Sequence, residues 1–590
     1  MATSQVKQWG TTPPISTALP TPSELAENDN LIAELKRQNN FEAPSETEKR
    51  NQMLHLIQRV TVEFVKTVGR RKGLSQAAID VSGGKIFPYG SYRLGVYGPG
   101  SDIDTLVVGP KHVAIEDFFL DFPPTLERLA PKDSIEKLTP VPDAYVPIIK
   151  LELSGISIDL IFARLIVHSI PPDLDLRNKE LLRGLDEREI RCVNGTRVTD
   201  EILELVPEKK TFRLALRAIK LWAQSRAIYS NVVGFPGGVA WAMLVARVCQ
   251  LYPQATGSVI VGKFFRIMNY WNWPQPVLLK PIEDGPLHMK VWNPKIYHGD
   301  RFHLMPIITP AYPSMCATHN VSLSTKAVIL RELKRGGDIV EKIFLGQLRW
   351  SDLFAKHTFF SKDYKYYLNI TASSTSKEAQ SVWSGLVEAK LRHLVIALDK
   401  KASIEVAHPF PKAHVAALES ANGSINMPGL GQTEESNNHT LHTTTYYIGL
   451  ELKPLVPGAS RSLDISSETH MFKNMCTSWA QYQPGINDLT ITHVRNYDLP
   501  EDVFHPGETR PVRPKKKVIK KVEPTTTKRP IDAVDGQEIP ENASKRRVSG
   551  NGITAAATAD WPTWIDIQRL SNMRHPGKLP VPYVLFYAVL

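Results

Sequence analysis

Cysteine is scarce in this sequence: there are four in 590 residues, Cys192, Cys249, Cys316 and Cys476. No two of them have zinc-ligand spacing, and a disulfide framework does not suit a chain of this length. They are expected to be plain thiols in a reducing compartment. Long apolar runs are missing as well. None approaches the ~20 residues that cross a bilayer, and the best stretch, 239–251, is broken by Arg247. The amino-terminal 25 residues are polar and rich in Pro and Thr, with no apolar segment of the secretory kind. A soluble intracellular protein without a membrane partner is therefore expected. Internal repeats are also lacking.

Apolar residues make up 42% of the chain, enough for sizeable cores. A chain this long exceeds one core, so several domains of ~100–200 residues are expected. The formal net charge is +11 and the isoelectric point is about 9.2. That balance favours a polyanionic partner without separating RNA, DNA and acidic membrane.

The texture changes along the chain. Residues 1–22 read as disordered. Helical periodicity follows at 23–38 and 45–68, the second opening on a capping-box pattern at Ser45 and Glu48. From about 80, short β-branched runs at 105–108, 148–153 and 156–162 read as strands of a half-buried sheet. Helices return from 211, with Phe212, Ala215, Leu216, Ile219, Trp222 and Ala223 on one face, and continue at 238–251, 258–272 and 325–346. Beyond 355 the order is strand 365–372, helix 376–398, strand 403–407, a polar loop 412–442, strand 443–452, helix 466–482, strand 487–495. This β-α-β-β-α-β order is the plan of ferredoxin-like and RRM domains. After 505 periodicity is lost, and a Pro-rich basic stretch reads as a disordered tail. The fold class is α+β and multidomain. The expected spans are a disordered 1–22, a mixed-sheet domain 23–210, a central helical domain 211–354, an RRM-like domain 355–505 and the tail 506–590.

The strongest chemical signal is Tyr89-Gly90-Ser91 followed, after ten intervening residues, by Asp102 and Asp104. Nucleotidyl transfer needs carboxylates that hold two Mg²⁺ ions, and hard oxygen ligands suit Mg²⁺. Residues i and i+2 of a strand share a face, so Asp102 and Asp104 converge while Ile103 points into the core. The Gly90–Ser91 turn offers backbone N–H groups and a hydroxyl to phosphates. A third carboxylate is expected on a neighbouring strand. Asp159 fits, because Ile156, Ile158, Leu160 and Phe162 occupy the opposite face and a charge in so apolar a strand needs a partner. An isolated Asp-x-Asp is usually a solvated turn; the ordered combination is far more specific.

The segments 87–96 and 100–105 closely resemble eukaryotic nuclear poly(A) polymerases, members of the DNA polymerase beta-like nucleotidyltransferase superfamily. The resemblance continues through 158–164, 194–200, 217–223, 228–231, 237–241 and 303–313, covering roughly 15–505. Pro88 departs from the family's frequent Thr. The last ~30 residues match no family block. The resemblance implies template-independent addition of AMP from ATP to RNA 3′ ends, with two Mg²⁺ ions, replaceable by Mn²⁺, on Asp102, Asp104 and Asp159. It implies ATP contacts from Tyr89, Gly90 and Ser91, triphosphate contacts from Lys220 and Tyr229, and ribose or base contacts from Asn194 and Asn231. Gly238, Val239, Thr309 and Met315 would line the adenine pocket, although Val239 or Met315 alone reads as core. Lys150 would face the primer. The RRM-like module lacks the aromatic RNP signature, so backbone contacts by basic residues are expected rather than base stacking. The implied setting is the nucleus, as a monomer within a pre-mRNA cleavage and polyadenylation complex. Arg513, Lys515, Lys516, Lys517, Lys520 and Lys521 are then the candidate import signal, with 545–547 a possible second element; a solvated linker is the plainer reading.

Two alternatives remain at this stage. A uridylyl- or CCA-adding nucleotidyltransferase would share the triad but not the long helical and RRM-like parts. A catalytically silent RNA-binding scaffold would not need the three Asp.

Overall fold

Helix α1 (Pro22–Arg37) starts on a reciprocal capping box. Thr21 Oγ1 accepts from the Glu24 N–H at 3.3 Å, and Glu24 Oε2 accepts from the Thr21 N–H at 2.8 Å. The computed structural model describes residues 7–142, 146–285, 287–419, 440–454 and 463–513. The box expected at Ser45 and Glu48 does not form. Helix α2 (Pro44–Arg71) begins instead at Pro44, whose fixed φ suits a first helical position.

A mixed sheet follows. Its surroundings are α3 (Gln76–Ser82), α4 (Gly90–Leu94) and α5 (Ile115–Leu129); its strands are β1 (Lys85–Pro88), β2 (Ile103–Gly109), β3 (Ile135–Val141), β4 (Ile148–Leu153) and β5 (Ile156–Arg164). The order is β1-β2-β5-β4-β3, with β2 and β5 parallel and the other pairs antiparallel. One face packs Ile103, Val107, Ile158, Leu160 and Phe162 against Phe64 of α2 and Phe118 and Phe122 of α5. The other packs Leu106, Val108, Ile161 and Ala163 against Cys192 and Val193 of α6 (Glu187–Leu205) and against Tyr312. Period-two alternation puts Asp104 and Asp159 on this second face.

Helices α7 (Lys209–Ser225), α8 (Gly238–Leu251), α9 (Gly257–Asn269), α10 (Leu323–Phe344) and α11 (Trp350–Leu353) form the next layer. Its centre is aromatic: Trp222 meets Trp241 edge-on at 5.6 Å and Phe265 at 4.8 Å. Leu31 and Leu35 of α1 are buried in this same core, although α1 lies within the span expected for the mixed-sheet domain. Residues 7–21, expected to be disordered, lie against α8. The Ile15 N–H donates to Leu251 O at 2.8 Å, and Arg247 Nη2 donates to Thr12 Oγ1 at 2.6 Å. The polar groups that interrupt the apolar run of α8, Arg247 and Gln250, are what this segment satisfies.

The carboxy-terminal described part holds β6 (Tyr366–Ser374), α12 (Lys377–Leu398), β7 (Ile404–Pro409), β8 (His414–Glu419), β9 (Thr440–Leu452), α13 (Ser466–Thr477) and β10 (Asn487–Arg495). The main sheet runs β10-β6-β9-β7, antiparallel throughout, as the split βαβ plan requires. Strand β8, inside the expected polar loop, pairs with β9. Leu368, Ile370 and Ala372 of β6 face Trp383 and Val387 of α12. On the opposite face Tyr367 and Tyr447 are buried under Phe359, Phe360, Phe410, Leu499 and Val503. Those two tyrosines therefore have no face to offer a base. Helix α13 stops before Trp479, which stacks on Trp383. Residues 506–513, the expected start of the tail, are bonded to the domain before them. Ser361 Oγ donates to Glu508, and Arg513 Nη2 donates to Asp498 Oδ1 at 2.8 Å. Residues beyond 513, with Lys515, Lys516, Lys517, Lys520 and Lys521, lie outside the described residues.

All four cysteines are free, and Cys192, Cys249 and Cys476 are buried. Among the described residues no helix is long and apolar enough to cross a membrane.

Candidate active site

The parallel pairing of β2 with β5 sets Asp104 directly beside Asp159. Asp102 stands one residue before β2, so it is exposed where Asp104 and Asp159 are half-buried. One carboxylate oxygen from each of the three lies within 4.8 Å of the others. Burial, then the charges of Asp102 and Asp159, push Asp104 up to about 6, with Lys220 opposing. Asp159 is also raised, by burial and by Asp102; Lys150 on β4 opposes this, with Nζ 3.8 Å from Asp159 Oδ2. Three converging acids with one half-exposed ammonium nearby are repulsive by themselves. Hard oxygen donors in this arrangement fit a divalent cation.

The Tyr89–Ser91 segment is fastened over the acids. The Tyr89 N–H donates to Asp104 O at 2.9 Å, and the Gly90 N–H donates to Thr199 Oγ1 at 3.3 Å. Ser91 lies in the first turn of α4, so the expected turn is the start of a one-turn helix. The Tyr89 ring packs against Gly195 of α6, where a Cβ would stand 3.1 Å from Cδ2. Burial raises its phenol well above the ordinary value.

The helical layer supplies the facing wall. Lys220 Nζ donates to Val96 O at 3.3 Å. Burial and the neighbouring Arg217 lower its pKa to about 8, against the pull of Asp102 and Asp104. Tyr229 is pushed up to about 12 by burial and by the same two Asp. Both side chains therefore feel the charge of Asp102 and Asp104. The Tyr229 hydroxyl lies 2.6 Å from where a Cβ on Gly238 would be, at the start of α8. Asn231 gives its carbonyl to Asn320 Nδ2 at 3.0 Å, while its Oδ1 is buried with no protein partner. Thr309 and Met315 close a turn: each N–H donates to the other residue, to Met315 O and to Thr309 Oγ1, both at 2.9 Å. Val239 is 40% exposed and Met315 47%, which rules out the core reading for both. Asn194 accepts at Oδ1 from Arg197 Nη1 at 3.0 Å, and Arg197 also donates to Tyr312 O, tying Asn194 to the 309–315 turn.

Arg513 belongs elsewhere, held by Asp498 and stacked over Tyr497 at 5.2 Å. The sequence reading missed Thr199, Arg213 and Arg217. A hydroxyl that receives one backbone N–H leaves no sequence signal. The two arginines did leave one, as cations spaced along the face of α7 that carries Lys220.

The sequence model of the poly(A) polymerase nucleotidyltransferase domain matches residues 10–206. That of the poly(A) polymerase central domain matches 211–356, and that of the poly(A) polymerase predicted RNA binding domain matches 358–513. The chain is 53% identical over 547 residues to poly(A) polymerase pla1 of Schizosaccharomyces pombe, covering 87% of this chain and 96% of that protein. It is 51% identical to poly(A) polymerase PAPalpha of Candida albicans, with 87% and 96% covered. With a poly(A) polymerase of Dictyostelium discoideum it shares 41% identity over 90% of this chain and 63% of that one.

Proposed function

The chain belongs to the poly(A) polymerase family, and on that premise we propose how its own residues add AMP from ATP to an RNA 3′ end without a template. Asp102, Asp104 and Asp159 would hold two Mg²⁺ ions, with Mn²⁺ able to replace them. When bound, such ions lower the pKa of the attacking 3′ hydroxyl and stabilise the departing pyrophosphate. The observation that carries this reading is the convergence of three carboxylates, two of them with raised pKa, in one cleft.

The 3′ oxygen bonds to the α-phosphorus of ATP, and the bond to the bridging oxygen of pyrophosphate breaks. The remaining assignments follow the chemistry of each group. Ser91 offers its N–H and hydroxyl to the β- and γ-phosphates above Asp104, while Gly90, its own N–H held by Thr199, leaves no Cβ in the way of their approach, and Tyr89 fixes the backbone of both. Lys220 and Tyr229 give a charge and a phenol to the same triphosphate. Asn194 and Asn231 suit the ribose and base, the orphaned Asn231 Oδ1 being an acceptor in want of a donor. Gly238, Val239, Thr309 and Met315 form the adenine wall. Lys150 faces the primer beside Asp159.

Tyr367 and Tyr447 of the RRM-like sheet are buried, so this part would grip RNA by charge rather than by base. Nuclear residence within a cleavage and polyadenylation complex, as a monomer, completes the proposal.

The test is primer extension by the pure chain with Mg²⁺ and each NTP in turn. Selective use of ATP, lost in a folded Asp159→Ala variant, is the expected result. Preference for UTP or CTP would move the chain to another nucleotidyltransferase activity. Full activity of Asp159→Ala would remove Asp159 from the metals.

A further inference from the structure

Arg217 is 9% exposed, yet among the described residues no carboxylate forms an ion pair with it, and Glu42 acts on it only from a distance. Its partners are backbone carbonyls. Nη1 donates to Asn40 O at 2.6 Å and to Tyr97 O at 2.7 Å, and Nη2 donates to Gly95 O at 3.1 Å. The guanidinium also lies over the Phe41 ring at 4.8 Å. One turn earlier on α7, Arg213 Nε donates to Leu94 O at 2.9 Å; three residues later, Lys220 Nζ donates to Val96 O at 3.3 Å. Residues 213, 217 and 220 share one helix face. Four consecutive carbonyls, 94 to 97, thus each accept from a cation of α7.

This run of carbonyls lies between Gly90–Ser91 and Asp102. Burying a cation without a counter-ion is costly, and an apolar side chain would fill the space more cheaply. What the guanidinium adds is a rigid planar fork that fixes several carbonyls at once.

We infer that Arg217 is a positioning residue for nucleotide use: it clamps the 94–97 segment to α7 at the separation from which Lys220 reaches the triphosphate. The inference rests on the proposed role of Lys220. On ATP binding Lys220 exchanges Val96 O for phosphate oxygen, while Arg217 and Arg213 keep their carbonyls. The segment then stays in place as the one mobile cation leaves it.

The experiment is steady-state primer extension by the full chain with Mg-ATP and an oligo(A) primer, beside thermal melting. The variants are Arg217→Gln, Arg217→Lys, Lys220→Ala and the Arg217→Gln/Lys220→Ala double variant. Arg217→Gln should raise KM for ATP by roughly tenfold or more and leave KM for the primer within about twofold. Arg217→Lys, which keeps the charge but not the fork, should recover part of the loss. The double variant should be within about threefold of Lys220→Ala, because the two residues act through one contact. Fully multiplicative losses, or equal rises in both KM values, would overturn the inference. If Arg217→Gln does not fold, Arg213→Met removes one rim contact and should give the same ATP-selective rise at smaller size; an unchanged KM there overturns it as well. Lys220→Ala with an unchanged KM for ATP would instead remove Lys220 from the triphosphate, and the inference with it.

Discussion

Gly90 and Asp104 stand so close that no side chain fits between them. A Cβ on Gly90 would lie 2.4 Å from Asp104 Oδ2, and its φ of 63° is one that other residues rarely adopt. Gly90→Ala must therefore push the carboxylate aside or pull the 89–91 segment away from it. The expected result is a fall in kcat of about 10²-fold or more, the size that follows a ~1 Å misplacement of reacting groups. Single-turnover kinetics at saturating ATP would measure it. Because the residue lies outside the main cores, the melting temperature should move by only a few degrees.

Asp104 is held near 6 in the folded chain, above its ordinary 3.8, chiefly by burial. A raised carboxylate pKa is a stability cost of the ionised form. That cost is absent below about pH 4, grows as pH rises through 4 to 6, and is fully present at pH 7. Asp159 adds to it in the same direction. Asp104→Asn should then stabilise the metal-free chain at neutral pH by about 3 kcal/mol while abolishing adenylate transfer. Urea titrations of both proteins in chelator, at pH 7.5 and pH 4.5, would test this: the advantage of the variant should shrink at the lower pH.

Lys220 is shifted the other way, down to about 8, by burial and Arg217. Its charge should be lost as pH rises through that value. kcat/KM for ATP should decline on the alkaline side with a midpoint near 8, since this parameter reports the free enzyme. Lys220→Ala should lower kcat/KM by roughly 10²-fold and flatten that limb. An alkaline limb that survives in the variant would assign it to another group.

The basic segment after 513 is expected to direct nuclear import. Deletion from 515 onward is the proper test, since Glu508 and Arg513 are bonded to Ser361 and Asp498 and a cut at 506 would disturb the domain. The truncated chain should keep primer extension and move toward the cytoplasm in imaging of a fluorescent fusion. Full nuclear retention without a carrying partner would end the import proposal.

The triad was legible because its chemistry is written in spacing. Two Asp at i and i+2, and one Asp among alternating Ile and Leu, specify a strand face whatever lies around them. Strands 148–153 and 487–495 were legible for the same reason of periodicity. Helix α5 was not, because Pro123 and Pro124 stand inside it, where proline ordinarily breaks the helical signal. Nor was β8, six residues whose pairing with β9 is decided by a distant strand. The 7–21 segment failed differently: its partners, Arg247, Gln250 and the Leu251 carbonyl, are more than two hundred residues away. The carbonyl clasp of Arg217 stayed hidden because backbone acceptors have no sequence of their own.

Helix α1 packs against α7, α9 and α11, with Leu31 and Leu35 buried in the helical core, and the last of these partners ends at Leu353. On a ribosome adding ~5–20 residues per second, the partners of α1 are complete only roughly 15–65 s after α1 itself is made. The mixed sheet, finished at Arg164, has all its strands well before that. For that interval the nascent chain carries an amphipathic helix with nothing to cover it, tethered to a neighbour that is already folding. The amino-terminal end of this protein is thus among the last parts to come to rest, and a holding chaperone would find its target there rather than at the catalytic strands.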